Sequence, residues 1–448
     1  MRENTFHIIS LGCAKNTVDS NTMAQILNQN DYTFVENPDE AEVIIVNTCG
    51  FISAAREESY RVLEQVTNHK KRGQKVIAAG CLTQRSGMET ARQISRLDGV
   101  IGTRRWMDIF DLVKRIREEE LTRPLYHLPE VTTVGQDDRG TVGAHVQGIS
   151  AYLKIADGCR RPCAFCAIPL IKGETVSRPM EVILEDARLL EENGVREINL
   201  IAQDTTDYGH DLGLENGLAQ LLEKLSVSVP NVDWIRVLYA YPGYVTDRLI
   251  KVMAEQENIL PYLDIPLQHA HPQVLRRMQR PSNIAWVYET VAKLRESMPK
   301  MALRTTFIVG YPGETEEEFQ TLLDFIEELR FDRVGVFEYS YEIGTPAESL
   351  GDPVPNEIKV ERKERLMVKQ QNISLEKNQA LVSEVLDVLV EGQGLIEGTT
   401  DKISLGRTYR DAPEIDGMVI IEDEFPVGEI IPVEITGATV YDLTGVSV

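Results

Sequence analysis

The sequence lacks an apolar run long enough to cross a membrane, and it is poor in basic residues. Its longest candidate, Val43 to Ala55, is interrupted by Asn47, Thr48 and Gly50 and falls short of the roughly 18–20 residues that a spanning helix needs. The start of the chain also lacks the long apolar region and small-residue cleavage site of a secretory signal. We therefore expect a cytoplasmic protein with no membrane partner.

The deficit of basic residues limits the possible partners. Forty-seven lysines and arginines face 70 acidic residues, for a formal net charge of −23. This balance argues against a protein that binds duplex nucleic acid through a broad cationic face. A basic partner is compatible with it.

Cysteine is scarce, with six residues in a chain of 448. Cytoplasmic thiols stay reduced, so we expect metal ligands, catalytic groups or core residues rather than three disulfides. The length allows two to four domains, each large enough to bury a core.

The order of apolar runs and helical patterns predicts an α/β fold in several parts. Residues 1–121 alternate strands and helices, the pattern of an N-terminal parallel βα domain. Residues 122–149 are rich in Pro and Gly and are expected to form a linker or an irregular hairpin. Six strand-and-helix repeats in residues 150–355 predict a central, partial (βα)6 barrel. Its candidate strands are Ala151–Ala156, Glu197–Ala202, Trp234–Tyr239, Tyr262–Pro266, Ala302–Val309 and Arg333–Tyr339.

Residues 356–448 no longer show the alternation of strands and helices. The charged pattern of residues 356–376 predicts one long connecting helix. Residues 377–448 consist of short β-branched runs cut by Gly, Asp and Pro. This pattern predicts a small all-β barrel.

Three cysteines lie together just after the first predicted barrel strand. Cys159, Cys163 and Cys166 have the spacing C-x3-C-x2-C. One tight loop of this kind can bind three corners of a [4Fe–4S] cube and leave the fourth iron for a non-protein ligand. A redox dithiol at Cys163 and Cys166, or half of a zinc site, is the alternative interpretation. The dithiol leaves Cys159 unexplained, and the zinc site lacks a second matching pair.

Each of the first three predicted strands ends at a cysteine: Cys13, Cys49 and Cys81. If these strands are parallel neighbours, the loops that leave them converge at one edge of the sheet, where such folds bind ligands. Three thiolates there could hold a second cluster. The alternative is that each cysteine is a small buried apolar residue near a helix start.

Other candidates surround the predicted mouth of the central barrel. Gln203 and Asp204 end the second barrel strand, and His269 and His271 follow the fourth. The turn from Gly310 to Glu314 lets backbone approach a ligand closely, although a plain strand-to-helix turn would look the same. Arg304 lies within a buried strand and needs an anionic partner, for which a carboxylate would suit.

The motif GCRRPCAFC (158–166) resembles the radical S-adenosylmethionine (SAM) superfamily. The segments SLGCAKNTVDS (10–20), VNTCGF (46–51) and AAGCLTQR (78–85) resemble the N-terminal domain of the methylthiotransferases. The C-terminal barrel is similar to the TRAM module of that family. The resemblance covers essentially the whole chain and implies SAM and two [4Fe–4S] clusters, with all six cysteines as ligands.

Two branches of this family modify different substrates. The sequence of residues 10–20 resembles that of the branch that modifies an aspartate of a ribosomal protein (RimO), with Ala14 in place of the usual Pro. Residues 377–448 contain four basic and fourteen acidic side chains, a net charge of −10. Such a module would repel RNA and attract a basic protein.

The resemblance also implies a reaction and partners. A 5′-deoxyadenosyl radical would take hydrogen from the β-carbon of an aspartate in ribosomal protein uS12, and a methylthio group would be joined there. No side chain is assigned as catalytic, because the radical is generated at the cofactor. Expected partners are uS12 or the small ribosomal subunit and an electron donor such as flavodoxin or ferredoxin, and transfer RNA is not expected. The residues expected to contact SAM are Phe165, Gln203, Arg304, Gly310 and Glu314.

Two alternatives remain at this stage. A transfer RNA adenosine methylthiotransferase (MiaB type) is the nearest enzyme, and it would bind tRNA through the C-terminal module. A non-enzymatic ribosome-binding or iron–sulfur factor is the other, and it would produce no 5′-deoxyadenosine.

Overall fold

A computed structural model of the chain describes residues 3–119, 122–395 and 402–448. The predicted boundary at residue 121 lies outside these residues, as do Glu397 and Asp401 of the acidic C-terminal module. None of the described helices combines the length and the apolar character needed to cross a membrane.

The N-terminal part is a parallel sheet with helices on both faces. Its strands are ordered β2-β1-β3-β4-β5-β6. Their bounds are β1 (Thr5–Ser10), β2 (Thr33–Phe34), β3 (Val43–Thr48), β4 (Lys75–Gly80), β5 (Gly99–Gly102) and β6 (Leu125–His127). The helices are α1 (Ala14–Asn28), α2 (Ser53–His69), α3 (Cys81–Gln93) and α4 (Ile109–Glu118).

The central strand β3 shows why this sheet is covered on both sides. Val43 and Ile45 pack into the core on one face, and Ile44 and Val46 pack into the core on the other. Every residue of β3 is buried, as expected for a strand between two helical layers. The predicted parallel βα arrangement is confirmed.

The central part is a second, mostly parallel sheet ordered β15-β14-β13-β12-β11-β8-β7. Its strands are β7 (Ala144–Gln147), β8 (Ser150–Lys154), β11 (Glu197–Ile201), β12 (Trp234–Val237), β13 (Ile259–Asp264), β14 (Ala302–Val309) and β15 (Arg333–Glu338). All except β7 pair in parallel. The outer helices are α6 (Met180–Glu192), α7 (Gly217–Ser228), α8 (Asp247–Glu255), α10 (Ile284–Ser297) and α11 (Glu316–Leu329). The six predicted repeats are confirmed, and the sheet is open between β15 and β7.

Shorter elements lie between these strands. They are β9 (Ala156–Asp157), α5 (Ile168–Lys172), β10 (Val176–Ser177) and α9 (Pro272–Arg277). The segment expected to be a linker or hairpin supplies an edge strand to each sheet. Its strand β6 pairs with β5, and its strand β7 pairs antiparallel with β8.

Helix α12 (Asn356–Gln379) leads to a closed barrel, in which the strands follow the order β16-β17-β18-β20-β19. The strands are β16 (Val385–Leu395), β17 (Lys402–Thr408), β18 (Val419–Ile421), β19 (Ile430–Ala438) and β20 (Leu443–Ser447). The predicted small all-β barrel is confirmed.

The C-terminal barrel packs against the end of the second sheet where the strands begin. Arg407 donates to Glu197, the first residue of β11, at 2.5 Å, and Arg236 donates to the same carboxylate at 2.9 Å. Burial alone would raise the pKa of Glu197, but the two guanidinium groups outweigh it and lower the pKa to about 2. This group of charges anchors the two barrels to each other at the end opposite to the one where the strands finish.

We predict that Arg407→Met destabilises this junction by about 3–5 kcal/mol, because it leaves the buried Glu197 with one guanidinium instead of two. Denaturant unfolding followed by tryptophan fluorescence measures the change, since Trp234 packs in the apolar cluster at this junction. Lys402→Met, at an exposed site on the same strand, is the control, and we expect a change within about 0.5 kcal/mol. In the unaltered protein, the contribution of Glu197 is complete above pH 4.5, its ordinary pKa, and is lost as the pH falls toward 2. Equal stability of the two variants would contradict the prediction.

Candidate functional site

The first three cysteines meet at the edge of the N-terminal sheet where its strands end. Cys13 precedes α1, Cys49 follows β3, and Cys81 begins α3 directly after β4. Strands β1, β3 and β4 are hydrogen-bonded neighbours, so the loops that leave them lie side by side. The predicted convergence of the three strand ends is confirmed.

Two glycines let these loops touch. Gly12 has a φ of +93°, and a Cβ added there would lie 2.8 Å from the Cβ of Cys49. A Cβ on Gly50 would lie 2.6 Å from the Cα of Leu82. No larger residue fits at either position, so the loop of Cys49 is in direct contact with the loops of Cys13 and Cys81.

Asn16 joins the three loops by hydrogen bonds. Its Nδ2 donates to the carbonyl oxygens of Leu11 at 2.9 Å and Thr48 at 3.1 Å, and its Oδ1 accepts from the Cys81 thiol at 3.5 Å. Sequence reasoning placed Asn16 in a motif but assigned it no role. Its burial between the cysteines was the missing information.

The thiols of this triplet influence one another. Burial raises the pKa of Cys81, the nearby Lys172 opposes that rise, and Cys13 and Cys49 add to it. Burial likewise raises the pKa of Cys49. Cys13 is exposed, so the group is accessible from one side.

The second triplet lies in the loop after β9. The amide of Cys159 donates to the Gly173 carbonyl at 2.9 Å, and the amide of Ala164 donates to the Met278 carbonyl at 2.8 Å. Burial raises the pKa of Cys159 to about 11. The loop is therefore held from both sides. Burial also raises the pKa of Cys166, and Cys163 and Cys159 add to that rise, so the three thiols lie near one another.

Cationic and aromatic groups surround Cys163. Arg280 Nη1 donates to Cys163 Sγ at 3.4 Å, and the Tyr241 hydroxyl lies 3.7 Å from the same sulfur. Arg161 lies over the ring of Tyr244 at 3.6 Å and donates to Asp204 Oδ2 at 2.6 Å. Arg280 and Tyr241 therefore contact the Cys163 sulfur directly, while Arg161 holds the neighbouring Asp204 and Tyr244.

Each triplet offers three thiols and suits an iron–sulfur cube. Among the residues that the structure describes, no His, Cys, Asp or Glu group has the spacing that a single metal ion needs. A four-iron cube instead takes one ligand at each iron atom, so its thiolates stand farther apart. Three thiolates would leave one iron open to a small molecule.

A buried network of four charges joins the two triplets. Lys154 contacts Asp19 and, at 2.6 Å, Asp157. Lys172 contacts Asp157 at 2.6 Å and Asp19 at 3.1 Å. Asp19 lies on α1 near Cys13, and Asp157 lies two residues before Cys159. Cys81 also packs against Ile171, which belongs to the helix that follows Cys166.

A second contact lies at the rim of the same interface. Glu342, in the loop after β15, binds Arg56 of α2, and it accepts from Arg85 Nη1 of α3 at 2.7 Å. Arg85 also donates to the Ile343 carbonyl at 2.8 Å. The two sheets therefore contact each other at two separate points around the cysteine loops.

Arg304 and Gln203 were both expected to contact SAM, and they lie in different surroundings. Arg304 meets carboxylates of Asp264 at 3.1 Å and Asp416 at 3.4 Å. Its expected carboxylate partner is therefore present, and Asp416 belongs to the C-terminal barrel. Gln203 lies near the cysteine loops, and its Oε1 is buried with no hydrogen-bond partner among the described residues.

Glu314 and Gly310 contact each other. The Gly310 amide donates to Glu314, whose carboxylate also accepts from His269 Nε2 at 3.0 Å and Arg362 Nη1 at 2.9 Å. Burial lowers the pKa of His269 against the pull of Glu314. Glu314 therefore ties this turn to the loop after β13 and to α12.

The remaining candidates have local roles. His271 caps α9, where its Nδ1 accepts from the Gln273 amide at 3.3 Å. Phe165 packs against a small apolar cluster that includes Tyr311 and Tyr339.

Three family models match the chain. Residues 153–326 match the radical SAM superfamily, residues 5–102 match the uncharacterized protein family UPF0004, and residues 382–448 match the TRAM domain. The three matches follow the order of the two sheets and the C-terminal barrel.

Curated relatives match over almost the whole chain. A protein of Chloroflexus aurantiacus named ribosomal protein uS12 methylthiotransferase RimO is 46% identical over 451 residues, with 98% of this chain and 99% of the relative covered. A protein of the same name from Roseiflexus is 44% identical and covers 98% of this chain and 96% of its own. One from Desulforamulus reducens is 43% identical, and 98% of both chains is covered.

Solved structures resemble the fold at low identity. The radical SAM methyltransferase TsrM from Kitasatospora setae, with cobalamin and a [4Fe–4S] cluster bound, has a TM-score of 0.60 and 12% identity, and the match covers 77% of this chain and 74% of TsrM. The cobalamin-dependent SAM radical enzyme OxsB has a TM-score of 0.51 and 14% identity, and the match covers 81% of this chain and 56% of OxsB. These similarities concern the fold alone.

We predict that Arg280→Gln makes a cluster held at Cys163 harder to reduce, because it removes a charged donor that stabilises negative charge on the sulfur. A charge-assisted hydrogen bond contributes about 1.5–3 kcal/mol, which converts to a reduction potential about 65–130 mV more negative for one electron. A redox titration of the reconstituted protein, followed by electron paramagnetic resonance, measures the shift. Arg276→Gln, at an exposed position on the same segment, is the control. Equal potentials in the two variants would rule out this role for Arg280.

Proposed function

The chain belongs to the RimO family of ribosomal protein uS12 methylthiotransferases, and on this premise we propose that it adds a methylthio group to the β-carbon of an aspartate in uS12. It is a radical SAM enzyme that uses SAM and [4Fe–4S] clusters, and it is a transferase. The observation that carries the proposal is the junction of two cysteine triplets at one interface.

We assign the six cysteines to two clusters. Cys159, Cys163 and Cys166 would hold the cluster that binds SAM, and the remaining triplet, Cys13, Cys49 and Cys81, would hold the auxiliary cluster. When bound, these cofactors supply the electron that cleaves SAM and the sulfur that is transferred, and the resulting radical can attack an unactivated C–H bond that no acid or base could deprotonate.

The residues of the chain position these groups. Radical, substrate carbon and sulfur must meet with reacting atoms about 3–3.5 Å apart. The contact of Cys81 with Ile171 and the network of Asp19, Lys154, Asp157 and Lys172 hold the two loops against each other. A rigid junction of this kind supports a reaction that uses both clusters at one substrate carbon.

The surface of the C-terminal barrel favours a basic protein partner. In residues 377–395 and 402–448, the exposed acidic side chains are Glu384, Asp387, Glu391, Glu414, Glu422, Asp423, Glu424, Glu429 and Glu434. Lys402 is the one exposed cation of these ranges and contacts Glu424. Arg407 and Arg410 are buried, so they are not displayed to phosphate. We call these nine exposed residues the acidic face. We propose that they attract uS12, in the cytoplasm, and that flavodoxin or ferredoxin supplies the electron.

Alanine variants of the two triplets separate the two cluster roles. Cys→Ala at Cys159, Cys163 or Cys166 is expected to abolish SAM cleavage. Cys→Ala at Cys13, Cys49 or Cys81 is expected to spare cleavage and abolish methylthio transfer. Chromatography of 5′-deoxyadenosine, iron and sulfide content, and mass spectrometry of uS12 provide the measurements.

Each triplet is the control for the other in this experiment, because either change should remove about half of the iron and sulfide. Normal methylthio transfer after loss of a first-triplet cysteine would refute the two-cluster scheme. Offering uS12 and an anticodon-loop RNA together tests the substrate. Modification of the RNA instead of uS12 would refute the assignment to a protein substrate.

Reversing the charge of the acidic face is expected to slow the association with uS12. The triple variant Glu422→Lys, Asp423→Lys and Glu424→Lys should lower the association rate about tenfold at low salt, with a smaller effect at high salt, because exposed charges act through long-range attraction that salt screens. Stopped-flow binding measures the rate. The matched control places the same change in charge on exposed positions of the central part, Glu257, Glu289 and Glu296. Equal rates for the two triple variants would show that the acidic face does not attract uS12.

A further inference from the structure

Lys15 reaches from the N-terminal sheet to the mouth of the central barrel. It lies on the first turn of α1, two residues after Cys13. Its Nζ donates to the carbonyl of Ala202 at 3.4 Å and lies 3.4 Å from the centre of the Tyr239 ring. Ala202 and Tyr239 follow β11 and β12, so the ammonium group is at the end of the barrel where the cysteine loops lie.

Lys15 is buried without a counter-charge. Its side chain belongs to a residue with 9% relative exposure, and no carboxylate of the described residues forms an ion pair with it. An ammonium group has three N–H donors, and its two partners here, one carbonyl and the face of the Tyr239 ring, are both uncharged. Burying a charge in this way is costly unless a partner arrives.

The other buried lysines of the described chain provide an internal comparison. Lys154 and Lys172 each contact two aspartates, and Lys359 contacts Asp352 at 2.6 Å. Each of these has its carboxylate within the protein. Lys15, with 9% relative exposure against 1–4% for the other three, is also buried but has no carboxylate partner among the described residues. Its anion is therefore expected to come from outside the chain, through the side on which Lys15 keeps some exposure.

The surroundings of Lys15 have a second unsatisfied group and a strained backbone. Gln203, the residue after Ala202, has a buried Oε1 with no partner among the described residues. Tyr239 has a φ of +61°, which is costly for a residue with a bulky side chain and is kept mainly at functional sites. Gln203 therefore directly follows the residue whose carbonyl accepts from Lys15, and its buried amide oxygen can accept a backbone N–H.

We propose that Lys15 binds the side-chain carboxylate of the substrate aspartate and thereby selects this residue for modification. The inference rests on the proposed function, because it takes its ligand from the aspartate that uS12 presents. Lys15 holds the carboxylate while the neighbouring β-carbon faces the cysteine loops. A charge-assisted hydrogen bond in a dry site would discriminate an aspartate from an asparagine of the same shape.

The test is a double-mutant cycle between enzyme and substrate, performed with the reconstituted full chain. The substrates are uS12 and uS12 in which the target aspartate is replaced by asparagine. With the unaltered enzyme, the asparagine substrate is expected to bind about 10–100-fold more weakly. With Lys15→Met, both substrates are expected to bind equally and weakly. Fluorescence anisotropy measures the dissociation constants, and mass spectrometry measures the product.

Two further variants complete the design. Lys15→Arg keeps the charge and should keep the preference for aspartate, and Lys114→Met, at an exposed lysine of the same domain, should behave as the unaltered enzyme. Lys15→Gln replaces Lys15→Met where the latter does not incorporate its clusters, because it keeps a hydrogen-bond donor but no charge.

The outcomes separate two kinds of failure. If the unaltered enzyme neither binds nor modifies uS12, the proposed function fails. If it modifies uS12 and the preference for aspartate survives in Lys15→Met, the role of Lys15 is refuted while the function stands. Loss of SAM binding with uS12 binding intact would also overturn the proposal, because it would assign Lys15 to the carboxylate of SAM.

Discussion

Two aspartates and two lysines buried between the sheets set the relative position of the two cysteine loops. Asp19 of α1 and Asp157 of β9 share Lys154 and Lys172, and each carboxylate contacts both ammonium groups. A buried ion pair is stabilising only when its geometry satisfies the charges fully, and losing one partner is strongly destabilising. The two aspartates and two lysines meet this condition, because together they carry no net charge and each of them contacts both groups of opposite charge. The same condition makes the junction rigid, because any shift between the sheets would leave one of the four charges unpaired in a dry interior.

Local sequence patterns were sufficient for the parts of the site that depend on neighbouring residues. The strand that ends at a glycine and a cysteine occurs three times, and parallel strands bring such ends to one edge, so the grouping of Cys13, Cys49 and Cys81 followed from periodicity. The loop at Cys159 needed no topology, because its spacing is local. Short edge strands such as Leu125–His127 and Ala144–Gln147 were missed, since three or four residues carry too little periodicity to be distinguished from a loop.

Partners that are distant in sequence could not be predicted from it. An arginine in a buried strand indicates that Arg304 needs an anion, but nothing local identifies Asp264 and Asp416, which come from the next strand and from another barrel. Asp19 posed the same difficulty. In the sequence, Asp19 looks like an ordinary polar residue on a helix. Its ion pairs form only in the folded protein, where the second sheet places Lys154 and Lys172 next to it. Charge pairing across an interface is a property of the assembled fold.

The two ends of the central sheet contact different parts of the chain. The C-terminal barrel binds where the strands begin, through Glu197 and Arg407, and the cysteine loops lie where they finish. Five residues of strand separate these ends by about 17 Å. The interior between these ends is filled by a cluster that runs from Val18 to Leu389. A protein held by the acidic face, as we propose, would therefore have to extend a segment along the outside of the sheet to reach the cysteines. In the scheme that we propose, long-range charge controls how fast the partner arrives, and short-range contacts at the mouth control which residue is modified.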